Sequence, residues 1–266
     1  MVRGLFRKYG DEPPPMTVLA GVLRAARALS FDAQRKWAER MLERTWPATL
    51  DALTVDPRPH AGVALALART CGLRGVQKRA SYELLRAPTF GQAIAGAGAA
   101  AAEAEEKEKG GTGADAEAEA ETGDLGGLGE MRRADLLRFL HARELLGLAW
   151  AEVAGVAPTD FACPCGAQTQ TQQQAPERGG AGSVCASANV DRVHARWAEL
   201  VHSSGLYVQR MVDPLMGLQD LVGIAWKDEG FCKKCVAARR NAWGELRRRL
   251  WDDLDVWLEL NVEEVD

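Results

Sequence analysis

The apolar residues of this chain recur at three- and four-residue steps, and no stretch alternates with the period of two that a half-buried strand requires. Each patterned segment therefore predicts a helix. Thr17 caps a first helix through Leu29, with Val18, Leu19, Val22, Leu23 and Ala26 along one face. Ser30 or Asp32 opens a second, which turns Trp37, Met41 and Leu42 inward and stops at Pro47. A short apolar helix over Ala61 to Cys71 ends at Gly72, a residue that readily takes the left-handed conformation after a helix. The next covers roughly Val76 to Leu85 and stops before Pro88. Met131 to Leu148 carries Leu136, Leu137, Leu140 and Leu145 against a charged opposite face. Asn189 or Asp191 begins a helix through about Val201, with Val193 and Trp197 four apart, and a short amphipathic piece over Val208 to Val222 is broken at Pro214. The last long helix starts near Phe231. Its stripe runs through Cys235, Ala238 or Arg239, Ala242 or Trp243, Leu246, Leu250, Leu254 and Trp257, and Arg240, Arg247 and Arg248 fall mostly off it. The fold class this predicts is all-α, an irregular bundle of antiparallel helical hairpins.

Two segments break the pattern. Residues 93–130 are built almost wholly from Ala, Gly and Glu, and a Gln/Gly-rich stretch lies at about 166–188. Neither has enough large apolar side chains to offset the entropy lost on ordering, so both are expected to be disordered insertions. The organisation that follows is a flexible N-terminus over 1–16 and a helical domain over 17–92. A linker over 93–130 then leads to a C-terminal helical domain over 131–266 that contains the second insertion.

Composition narrows the function classes. A hydrophobic content of 47% supplies a core, and a net charge of −4 is wrong for a protein whose whole surface is built for nucleic acid. The basic start MVRGLFRKYG is followed by no apolar run of secretory-signal type, and nowhere do about 18 apolar residues follow one another, so no membrane span is expected. Six cysteines in such a chain read as thiols or metal ligands before disulfides, which points to the cytoplasm or nucleus.

The cysteines carry the candidate chemistry. Cys163 and Cys165 stand in FACPCGA, and Cys232 and Cys235 in FCKKC, at the start of the last helix. A C-x-x-C pair at a helix start offers one sulfur from the turn and one from the first helical turn. That is half of a tetrahedral zinc site, and the C-x-C pair is a candidate for the other half. Cys185 is a spare ligand beside the insertion, and His194 or His202 is a possible substitute. Three further readings stay open: six plain buried cysteines, a dithiol redox pair at Cys232 and Cys235 assisted by two lysines, and a reversible disulfide between the two motifs. Cys71, among leucines, reads as core. The histidines are scattered, and the chain contains no nucleophile elbow, zinc-protease, P-loop or dinucleotide-binding motif. Nothing points to catalysis.

Three stretches resemble the helical region that follows the POZ core in BTB/POZ-domain proteins of mushroom-type (basidiomycete) fungi. Residues 18–42, VLAGVLRAARALSFDAQRKWAERML, resemble that family's first helical hairpin at Leu23, Arg24, Phe31, Asp32, Arg35, Ala38 and Leu42. Residues 63–88 look like the next helical pair at Leu65, Leu67, Ala68, Arg69 and Gly72, with Cys71 in place of the usual aromatic. The closing segment is similar to a C-x-x-C leading into a helix, filled by Cys232, Cys235, Trp251, Leu254, Trp257 and Leu260, with Asp255 where proline is frequent. A cysteine pair like Cys163 and Cys165 is also common upstream in that family. The short chain before Val18 leaves no room for the POZ core, which leaves homodimerisation open. The resemblance implies a non-catalytic intracellular scaffold with protein partners, to which the cysteines add a structural zinc ion. The alternatives are a zinc-dependent nucleic-acid-binding regulator and a dithiol redox protein.

Overall fold

The computed structural model describes residues 9, 12–90, 133–158, 185 and 189–260, and among these the fold is all-α, with no strand. The two low-complexity insertions, apart from Cys185, lie outside the described residues. Two compact units emerge: Met1–Arg143 with Leu254–Asp266, and Glu144–Asp253. No described helix is long and apolar enough to cross a membrane.

The first unit is built on two helical hairpins. Helix α1 (Met16–Ala28) starts directly after the proline run, with Pro15 rather than Thr17 at its N-cap. The extended backbone of Pro15 (ψ 146°) sets the entry, so Thr17 falls inside the first turn and no side chain caps the helix. Helix α2 (Asp32–Thr45) begins with an acidic residue in its positive first turn. Leu19, Ala20, Leu23 and Ala26 of α1 are buried, as are Trp37, Ala38, Met41 and Leu42 of α2, with Trp46 beyond its end. Val18 and Val22, predicted on the inner face, are only half-buried. Helix α3 (Ala61–Cys71) ends at Gly72, whose φ of +68° is the left-handed conformation the sequence predicts, and α4 (Arg74–Leu85) packs back against it.

Helix α4 holds a buried ionic hub. Arg79, Glu83 and Arg86 are all within 2% of full burial. Arg79 Nε donates to Glu83 Oε1 at 2.9 Å and Arg86 Nε to Glu83 Oε2 at 2.7 Å; the Arg58 backbone N–H adds a 3.0 Å bond to Oε2. Arg86 extends the hub by donating to the carbonyls of Thr54 (2.7 Å) and Asp56 (3.0 Å), which fixes the loop ahead of α3.

The long helix α5 (Arg133–Ala154) contributes its residues through Arg143 to the first unit and the remainder to the second. Its buried seam is Phe139, Ala142, Leu146, Trp150 and Ala154. The predicted inner positions are therefore corrected: Leu136 and Leu145 are half-buried, while Leu137 and Leu140 are exposed. The helix carries two apolar faces, and the one holding the aromatic rings is the one packed.

In the second unit, α6 (Val190–Trp197) is capped as expected: Asn189 Oδ1 accepts from the Arg192 backbone N–H at 3.0 Å. A π-helical segment, Ala198–Ser203, continues it, followed by α7 (Leu206–Gln209) and α8 (Pro214–Gly223), which opens on Pro214 at the position proline suits best. Gly217 lies against Trp150, where a Cβ would come within 2.6 Å of the indole ring. Helix α9 (Lys233–Trp257) closes the order. Here too the inner face differs from expectation. Arg247, placed off the stripe by the sequence, is buried and donates through Nε to the Leu215 carbonyl at 2.9 Å, while Leu246 and Trp257 are half-buried; Arg239, offered on the stripe beside Ala238, is buried. A guanidinium reaches its carbonyl partner only in the folded chain, so periodicity alone assigns such an arginine to solvent.

Candidate metal centre

Cys232 and Cys235 are placed by a turn and a helix start. Gly230 holds φ +87°, and a Cβ there would meet the Arg192 guanidinium at 2.7 Å, so the turn favours glycine. Around it, the Phe231 N–H donates to the Trp226 carbonyl at 3.2 Å and that of Gly230 to the Lys227 carbonyl at 3.0 Å. Cys232 then precedes the first residue of α9, and its Sγ accepts from the Cys235 backbone N–H at 3.4 Å. That is the bond an N-cap side chain makes three residues into a helix, with sulfur in place of oxygen.

The third sulfur is that of Cys185. It accepts from the Cys232 backbone N–H at 3.2 Å and lies 3.9 Å from Cys235 Sγ. All three Sγ atoms fall within 4.8 Å of one another, with Cys235 buried and the other two half-buried. Tetrahedral zinc with Zn–S bonds near 2.3 Å spaces its sulfurs about 3.8 Å apart, so the Cys185–Cys235 separation already matches an edge of such a site. The donor set is soft and closely spaced, and two backbone amides point at its sulfurs as outer-shell donors do around ligated thiolates. Three close cysteines of this kind can hold a metal ion.

An aromatic layer adjoins the cluster. The Trp226 ring packs edge-on against Phe231 (5.6 Å) and stacks on Trp197 (5.9 Å), and Trp243 lies against both tryptophans at 5.7 and 6.2 Å. Trp226 Nε1 donates to the Leu221 carbonyl and Trp197 Nε1 to that of Ala154, so both indoles bury their polar edge satisfied. Arg239, one turn beyond Cys235, sits over Phe231 at 5.4 Å and donates to the Pro158 carbonyl at 3.1 Å.

Of the four ligands predicted from sequence, the structure brings Cys232 and Cys235 together, while Cys163 and Cys165 lie outside the described residues. Cys185, which the sequence offers only as a spare, is the third member. It stands alone among small residues, and the one local signal for it is its nearness to the Asn189 cap. No histidine joins the group among the described residues, and His202 packs instead against Tyr207 at 5.2 Å. Cys71 stands in the first unit, half-buried rather than core. It lines a cleft of about 330 Å³ with Arg27, Arg35 and Glu39, where burial first and Glu39 second push its thiol above the usual range. Set against protein-family models, curated proteins and solved structures, the chain matches none of them.

Proposed function

We propose that the chain is a non-catalytic helical scaffold for protein partners, fastened in its second unit by a structural zinc ion. The observation that carries the metal reading is the set of three sulfurs, Cys185, Cys232 and Cys235, within 4.8 Å of one another. Zinc suits them because it takes thiolates in closed four-coordinate sites and supplies folding energy there.

Cys163 or Cys165 is the natural fourth ligand. Arg239 fastens the Pro158 carbonyl one helical turn beyond Cys235, and Cys163 follows Pro158 by five residues. The scaffold reading rests on the resemblance to post-POZ helices of basidiomycete BTB/POZ proteins. It also draws on the exposed apolar pair Leu29 and Phe31 at the turn between α1 and α2. Two of the five arginines in α9, Arg239 and Arg247, face inward, which thins the basic face a nucleic-acid contact would need.

The test is metal content of protein purified without chelator. About one zinc per chain is expected from a single four-coordinate site, lost in a Cys232→Ser/Cys235→Ser variant. Free zinc held at about 100 times its Kd should stabilise the second unit by about 2.7 kcal/mol. Protein that carries no metal and gains no stability from added zinc would sink the reading. In cobalt-loaded protein, whichever of Cys163→Ser and Cys165→Ser weakens the sulfur-to-metal absorption identifies the fourth ligand.

A further inference from the structure

We infer that the cysteine cluster is a redox-controlled metal clasp, in which hydrogen peroxide joins Cys185 to Cys235 as a disulfide and expels the metal. The inference rests on the zinc reading above and adds its regulation. Its ground is the unequal placement of the three sulfurs. Cys185 is half-buried, so solvent reaches it, while Cys235 is fully buried and lies 3.9 Å away. A disulfide needs about 2.05 Å between sulfurs, so the pair closes with a shift of about 2 Å. Cys232, also half-buried, is engaged at the helix start, where its sulfur accepts from the Cys235 amide in the N-cap position.

The chemistry balances in two steps. The Cys185 sulfur attacks one oxygen of the peroxide, the O–O bond breaks, and a sulfenic acid forms with release of hydroxide. The Cys235 sulfur then attacks the Cys185 sulfur, the S–O bond breaks, and a second hydroxide leaves as the disulfide forms. Two electrons pass from the sulfur pair to the peroxide oxygens. With two of its thiolates consumed, the site loses the charge and the donors that held a divalent cation. A dithiol reductant reverses the oxidation by exchange and restores the ligands.

The consequence is local. Cys185 and the start of α9 are separated by 47 residues of chain and meet at this cluster through the Cys232 N–H bond to Cys185 Sγ. Exchanging a metal bridge for a disulfide leaves Cys185 tied to α9 but frees Cys232, the residue that caps the helix.

The experiment uses the full chain. Metal analysis before any oxidant tests the zinc reading alone: a protein that neither carries nor takes up zinc sinks that reading and this one with it. Zinc-loaded protein is then titrated with hydrogen peroxide while a chromophoric chelator reports released metal, and peptides are mapped without reduction. The expected result is one zinc released per disulfide formed, a Cys185–Cys235 crosslink, and recovery of binding after dithiothreitol and zinc. Zinc retained through the titration would overturn the clasp while leaving the metal centre standing. So would release accompanied by a Cys232–Cys235 crosslink, or by sulfinic acid with no crosslink. Cys71→Ser serves as a control that removes the remaining described thiol outside the cluster, and it should leave the stoichiometry unchanged. Cys185→Ser should form no such crosslink, and should that variant fail to fold, the crosslink map of the unmodified chain still decides.

Discussion

Helix α4 buries a carboxylate between two guanidinium groups, whereas the start of α9 buries the Cys235 sulfur close in sequence to Phe231, which packs on tryptophan, and the two regions confront the desolvation of polar groups in opposite ways. In the first, Glu83 accepts from Arg79, Arg86 and the Arg58 amide, and Arg86 spends its remaining donors on loop carbonyls. Charge inside is tolerated because nearly every face of the carboxylate meets a donor. Burial lowers the Arg79 pKa from its ordinary value, and the Glu83 charge opposes that fall. In the second, sulfur is weakly polar and costs little to bury, while stacked rings supply the apolar area. The hub serves its carboxylate from within the chain, although the buried Arg79 Nη1 has no hydrogen-bond partner among the described residues. The thiol cluster is a set of donors that could hold a metal ion.

The largest expected effect breaks the hub. Glu83→Ala leaves two buried guanidinium groups without their carboxylate, and removal of one partner from a buried pair costs about 3–5 kcal/mol. The loss should appear in urea unfolding, and hydrogen exchange should localise it to α3, α4 and the loop before α3. Protection in α6 to α8 should be retained. An unfolding curve unchanged by this substitution would mean that the arginines are adequately served by carbonyls alone.

A smaller effect addresses the aromatic side of the comparison. Gly217→Ala places a methyl 2.6 Å from the Trp150 ring and 2.9 Å from Arg210 Cβ. Overpacking of this kind costs about 1–3 kcal/mol. Near-ultraviolet circular dichroism should lose intensity as Trp150 shifts on Tyr207, on which it stacks at 6.4 Å. The same substitution at Gly147 or Gly223, where no atom lies within 4 Å of the added carbon, is the control. Helix propensity alone would stabilise all three variants, so an equal gain at Gly217 would show that its packing against Trp150 is not tight.

The two hairpins of the first unit were legible because each helix offers one apolar face, and Gly72 and Asn189 announce a helix end and a helix start by local chemistry alone. Helix α5 was not. Leu137 and Leu140 compete with Phe139 and Ala142 for the inner position, and period cannot rank two apolar faces of one helix. Buried Arg247 was misread for a different reason, since its partner, the Leu215 carbonyl, lies 32 residues away in sequence. Glu83 left a trace, because Arg79 and Arg86 stand four and three residues from it on a helix. Exposed pairs show the same spacing, so spacing alone does not separate a hub from a solvated face. The cysteine cluster was half legible: C-x-x-C before an amphipathic helix is local, while Cys185 joins it only through the fold.

The least perturbing test sharpens the contrast between charge inside and charge at the edge. Lys78, one residue before the hub, pairs with Asp255 at 2.8 Å within the same unit, but Asp255 is 35% exposed. The Lys78 ammonium keeps its stem under cover and meets a carboxylate that water still reaches. Screening and the entropy of holding both side chains hold such pairs to about 0.2–1 kcal/mol. A double-mutant cycle with Lys78→Met and Asp255→Asn should give a coupling within that range, and 1 M salt should weaken it. The Glu83 substitution should respond far less to salt, because its partners are shielded from ions by the protein itself. If instead the Lys78–Asp255 coupling approached the cost of Glu83→Ala, the end of α9 would be as firmly fastened to the first unit as the loop before α3. The division between a buried hub and a solvated rim would then fail.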